Sequence, residues 1–166
     1  VTVPNTAVPT VSAIRLTGAR PVFVDVDPQT HVMNASLLEK VLTRKTRAII
    51  PVHLYGYPAP MREIMKIAKK RKLTVLEDVA QSQGAKYDKR TVGTIGHVGC
   101  FSFYPTKNLG AFGDGGAIIT NDNRLAKKLV AMRNYGEISK FNNAMEGTNT
   151  RLDELQAALL YHGLKH

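Results

Sequence analysis

The chain has 166 residues, 43% of them hydrophobic, and 23 Lys and Arg against 13 Asp and Glu give a net charge of +10. That length suits one domain, the composition excludes wholesale disorder, and no apolar run approaches the roughly 20 residues of a membrane-spanning helix. The start, "VTVPNTAVPT", has no basic region, no leader-like apolar run and no initiator methionine, so it reads as a processed or partial chain without a secretion signal.

Along the chain, "PVFVDVD" (21–27) is apolar, β-branched and ends in acids, which predicts a buried strand. "NASLLEKVL" (34–42) predicts a helix that Asn34 or Ser36 can cap. "TRAIIPVHLYG" (46–56) holds the next strand and its exit loop. "APMREIMKIAKKRK" (59–72) predicts an amphipathic helix with Pro60 near its first turn and cations at its end, where the helix dipole favours them. "LTVLED" (73–78) is a third strand ending in two acids, and "HVGCFSF" (97–103) and "GGAIITN" (115–121) are two more. Helices are expected over "NRLAKKLVAMRNYG" (123–136), closed by glycine, and over "RLDELQAALLYHGL" (151–164). Between them, 137–149 is polar and irregular and reads as a long loop. Strand and helix alternate throughout, so an α/β domain with a mainly parallel sheet is expected, with its ligand outside the carboxyl ends of the strands.

Charge and sulfur narrow the function. The basic residues are dispersed, and no zinc-finger, helix-turn-helix or RNA-stacking pattern accompanies them, which argues against nucleic acid. The single cysteine, Cys100, has no disulfide partner or metal cluster around it and suits a reducing cytoplasm. It reads as a small packed residue rather than a catalytic thiol.

Three strand exits carry candidate chemistry. In "LEDVAQSQGA", Glu77 and Asp78 are adjacent and face opposite sides of a strand, so one can enter a site while the other does not. An ionised Asp78 beside a pyridinium nitrogen is what an electron-sink cofactor requires, and the Gln81 amide can hydrogen-bond a ring substituent. In "FSFYPTKNLGAFGDGG", the Ser102 hydroxyl can hold a phosphate oxygen and Lys107 can form a Schiff base. Gly110, Gly113, Gly115 and Gly116 allow close backbone approach, without the Lys-Ser/Thr ending of a Walker loop. In "GTNTRLDELQAALL", Asn149 or Thr150 can cap a helix whose N-terminus also suits a phosphate. His53 follows a strand and is expected to be a satisfied structural histidine; Tyr55 and Tyr104 could touch substrate or simply pack.

With these residues in view, the chain resembles the sugar aminotransferases of the DegT/DnrJ/EryC1/StrS family. The matching strings are "VPNTAVPTVSAI", "GARPVFVDVDP", "AIIPVHLYGYPAPM", "LEDVAQSQGA", "GCFSFYPTKNLGAFGDGGAIITN" and "NTRLDELQAALL", in family order over nearly the whole chain. The resemblance implies the fold type I architecture of transferases that use pyridoxal 5'-phosphate, whose large domain is a three-layer α/β/α sandwich. It implies that Lys107 bonds the cofactor and later moves a proton, and that Asp78 keeps the pyridine nitrogen protonated. Gln81 would lie near the ring oxygen and Ser102 on the phosphate. Asn149 would reach the cofactor of a neighbouring subunit in a homodimer with composite sites. The implied reaction carries an amino group, often from glutamate, to a keto group of a nucleotide-linked sugar. Sugar dehydratases of the family carry histidine where Lys107 stands, so lysine favours transamination.

The departures from the family pattern set further expectations. Members are typically more than twice as long, so residues 1–166 match the central part of the large domain, without its N-terminal segment or the C-terminal small domain. The aromatic residue that often stacks on the cofactor is replaced by small residues and Val8 in "NTAVPT". A sheet without its first strand would leave an edge or apolar face uncovered. Besides the enzyme, a truncated, non-catalytic remnant that oligomerises or binds a phosphorylated ligand fits the same sequence.

Overall fold

The computed structural model describes residues 1–165. Its centre is a four-stranded sheet of β1 (Ala48–Ile49), β2 (Thr74–Asp78), β5 (Val98–Ser102) and β6 (Gly116–Ile119), in the order β1-β2-β5-β6. β1, β2 and β5 are parallel, and β6 runs antiparallel to β5 at the edge. The remaining strands form two small hairpins, β3 (Lys86–Tyr87) with β4 (Arg90–Thr91) and β7 (Glu137–Ser139) with β8 (Asn142–Asn143). The helices are α1 (Val8–Leu16), α2 (Ala35–Val41), α3 (Met61–Arg71), α4 (Asn123–Met132) and α5 (Glu154–Gly163).

Local chemistry explains most of the boundaries. The Asn34 side chain accepts the Ser36 amide and starts α2, and Asp122 does the same for α4 through Arg124 and Leu125. α3 turns Met61, Ile64 and Ala68 inward and leaves Arg62, Lys66 and Lys69 to the solvent side. It ends on Lys72 in the left-handed conformation (φ 54°), whose backbone N–H returns to the last turn. α3 packs on β2, and the core runs from Val3 to Ile95 through Leu38, Ile49, Ile64 and Val75. Among the described residues, no helix is long and apolar enough to cross a membrane.

Three expectations change, and α1 is an element that none of them foresaw. Residues 21–27 form no regular strand: Phe23 bridges Thr2 and Val26 bridges Met33, and neither single bridge extends into a ladder. α1 is a helix that its β-branched Val8, Thr10 and Val11 disguise, with a proline in the first turn, where its missing N–H costs nothing. Residues 137–149 are not uniformly irregular, since β7 and β8 lie within them. α5 starts after Asp153, not after Asn149 or Thr150, and no side chain caps it.

Candidate cofactor and active site

The sheet delivers two strand exits side by side. Asp78, the last residue of β2, pairs in register with Cys100, and Ser102, the last residue of β5, lies two residues further along. Between and above them opens a cavity of about 610 Å³. Asp78, Ser102, Lys107, Thr10, Phe101 and Asp114 are among its lining residues. A second cavity, of about 330 Å³, is lined by Tyr55, Gln81, Thr106, Lys107 and Asn108. Lys107 is common to both. A larger groove of about 650 Å³ along the α3 lysines includes Thr74 and His97, at the opposite ends of β2 and β5, away from these exits.

Asp78 is held firmly. Its Oδ2 accepts the Thr10 hydroxyl at 2.8 Å and its Oδ1 accepts the Ala80 amide at 3.1 Å. The Thr10 hydroxyl in turn accepts that of Thr6 at 2.8 Å. Each carboxylate oxygen retains a lone pair, so Asp78 can accept one more strong donor from the cavity. Thr10 escaped the sequence reasoning because it lies 68 residues upstream, in a helix that the local pattern hid.

Lys107 is half-buried in a turn that its own amide closes by donating to the Tyr104 carbonyl at 2.8 Å. Ser102 accepts the Tyr104 amide at 3.3 Å. The chain doubles back so tightly after Lys107 that a side chain on Gly110 would stand 2.6 Å from the Pro105 carbonyl oxygen. Cys100, on the cavity floor, has its thiol pushed above the ordinary value by burial and by the Asp78 charge. That favours the protonated thiol over the nucleophilic thiolate, in keeping with a packing role.

Glu77 faces the other way, as adjacent residues of a strand must. It is fully buried and accepts His53 Nε2 at 3.0 Å, with the amides of Gly93, Ile95 and Gly96 at 2.7, 2.8 and 2.5 Å. Burial pushes this carboxyl up, but the bonds from His53, Gly96 and Gly93 prevail and hold it below the ordinary glutamate value. The loop that supplies those amides touches β5: a side chain on Gly99 would meet Gly93 at 2.5 Å. His53 is the satisfied buried histidine expected of it, and Tyr55 and Tyr104 are exposed at the cavity mouths.

The structure therefore gathers Asp78, Ser102 and Lys107 on one cavity and Gln81 with Lys107 on the next. Asn149 joins neither: it is exposed and bridges Asn134. The donor set suits pyridoxal phosphate. One fixed carboxylate, one amine and one hydroxyl surround a largely apolar bed that includes Ala80 and Phe101.

The DegT/DnrJ/EryC1/StrS aminotransferase family matches the chain over residues 1–166. The chain belongs to this family. Its cofactor is pyridoxal 5'-phosphate. A pleiotropic regulatory protein of Geobacillus stearothermophilus is 52% identical over 91% of this chain and 41% of its own length. The dTDP-3-amino-3,4,6-trideoxy-alpha-D-glucose transaminase of Micromonospora megalomicea is 50% identical over 96% of this chain and 43% of its own length. Among solved structures, S. venezuelae DesV in complex with a ketimine intermediate superimposes with a TM-score of 0.93 at 46% identity, covering 97% of this chain and 43% of that one. The chain thus spans roughly two-fifths of the length of these relatives.

Proposed function

We propose that this chain is the central part of the cofactor-binding large domain of a pyridoxal-phosphate-dependent aminotransferase, acting on a keto group of a nucleotide-linked sugar with glutamate as amino donor. The observation that carries the proposal is the convergence of Asp78, Ser102 and Lys107 on one cavity at adjacent strand exits. The 50% identity to a dTDP-sugar transaminase supports the substrate class.

When bound, the cofactor supplies an electron sink for the pair left as a carbon–hydrogen bond beside nitrogen breaks. The protein's part is orientation and proton transfer. The Asp78 carboxylate, steadied by Thr10 and Ala80, would accept the ring N–H and hold that proton in place. Ser102 donates to the phosphate. Lys107, which lines both cavities, is the amine that would hold the cofactor covalently, and when free its Nζ would serve as the acid–base group for the proton at the substrate carbon. Gln81 donates to the ring oxygen. Asn149, exposed and outside both cavities, is available to the cofactor phosphate of a second copy, which makes the working enzyme a homodimer with shared sites. The lone thiol Cys100 is consistent with the cytoplasm.

Adding pyridoxal phosphate to the chain and recording its visible spectrum tests the proposal, with Lys107→Ala as control. A band that borohydride traps and that the variant lacks is the expected result. A spectrum identical in both proteins would remove the cofactor site from this chain and leave the non-catalytic module.

A further inference from the structure

We infer that His53 and Glu77 are positioning residues that fix the Gln81 amide with its NH2 group free to donate into the site. This rests on the reading of Gln81 as a cofactor contact only for the identity of the acceptor. The clamp itself is built entirely from this chain.

Gln81 can present either end of its amide. The Tyr55 backbone N–H, which can only donate, meets Gln81 Oε1 at 3.2 Å. The carbonyl is therefore engaged, and the NH2 is the end left to a ligand beside Lys107. An anionic or carbonyl oxygen is the chemistry such a donor recognises.

Tyr55 is an unusual residue to hold that carbonyl. It sits in the left-handed region (φ 54°, ψ 29°), where a bulky side chain is strained, and its ring is 78% exposed, so ring burial does not offset the strain. The residue two positions earlier restrains it. His53 donates its amide to the Asp78 carbonyl at 3.0 Å and accepts the Ser82 hydroxyl on its own carbonyl at 2.6 Å. Its ring Nδ1 accepts the Ala59 amide at 2.9 Å, so the ring proton lies on Nε2 and is donated to Glu77. One side chain thus ties both ends of the 53–59 loop to the residue behind Asp78. Glu77 completes the tie by accepting three amides from the loop at 93–96. An apolar ring at position 53 would fill the same space but could not hold Ala59 and Glu77 together.

Amide hydrogen exchange of the free chain, followed by NMR, tests this without cofactor. The Tyr55 amide is read against the Val75 amide, which reports the core strand. In the parent protein and in Gln81→Glu, which keeps the acceptor oxygen, Tyr55 should be protected. In Gln81→Ala and His53→Phe its exchange should rise at least tenfold relative to Val75. His53→Gln, which can still donate to Glu77, should fall between. Unchanged relative protection in either Gln81→Ala or His53→Phe overturns the clamp.

With pyridoxal phosphate bound, a second readout follows. A donor on the ring oxygen favours loss of the neighbouring nitrogen's proton. The pH midpoint of the lysine-linked band should therefore rise in Gln81→Ala, Gln81→Glu and His53→Phe alike, and the Gln81→Ala/His53→Phe pair should shift no further than either alone. Additive shifts would mean that His53 acts independently of Gln81. Absence of any band in the parent would defeat the cofactor proposal, while the exchange data would still decide the clamp.

Discussion

The two halves of the chain are held together very differently. The contiguous core draws its fully buried members from Val3 to Ile95. Beyond Val98, only Ala111, Ala131 and Leu160 are buried among the described hydrophobic residues, while Phe112, Phe141, Leu155, Tyr161 and Leu164 are at least two-thirds exposed. The candidate site lies on the seam. Asp78, Gln81 and Thr10 come from the well-packed half, and Ser102 and Lys107 come from the less-packed one. The well-packed wall that carries Asp78 therefore faces a wall whose geometry depends on less buried surface.

Lys107→Ala should give the largest effect, because a covalent bond has no substitute. The visible band should vanish, and in a complete enzyme the rate should fall by about 10²- to 10⁴-fold or more, the range for losing a positioned acid–base group. Retention of the trapped band would break the assignment on the less-packed wall.

Core truncation sharpens the contrast between the halves. Ile64→Ala, at a fully buried site, should cost about 2–5 kcal/mol in chemical denaturation. Val130→Ala, at a site 58% exposed, should cost less than about 0.5 kcal/mol. Equal costs would show that α4 is as well packed as α3 in solution.

Acid should act on the packed half through Glu77. Its folded-state value lies below the unfolded one, so its stabilisation is fully present above about pH 4.3, the unfolded glutamate value. It is lost as pH falls through the folded value. Stability measured between pH 6 and 3 should decline more steeply in the parent than in His53→Phe, which weakens the carboxylate's partners. Parallel curves would remove Glu77 as the source.

Thr10→Val should be the mildest change at the site itself. It removes one hydrogen bond to a charged carboxylate, worth about 1.5–3 kcal/mol when the partner stays unsatisfied and less if water replaces it. Cofactor affinity, titrated spectroscopically, should weaken while the band itself persists. No change in affinity would show that Ala80 alone suffices to hold Asp78.

Several features were legible from short patterns. The amphipathic spacing of 59–72 marked α3, whose observed limits are Met61–Arg71. Adjacent acids at the end of a strand could only divide between two faces, and they do. The 21–27 run failed because a β-branched pattern shows that a segment suits a strand, not that its pairing extends beyond single bridges. No element was expected at α1, since its β-branched residues do not favour the helix that tertiary context made of them.

The sequence by itself determined the family, the α/β alternation and the residue types at each strand exit, because these rest on local order and composition. Tertiary structure alone decided that Thr10 would hold Asp78, that Asn149 would stand outside both cavities, and that His53 and Glu77 would meet in the core. Those relations join residues 15 to 68 positions apart, and only the packing of the sheet brings such residues within hydrogen-bond reach.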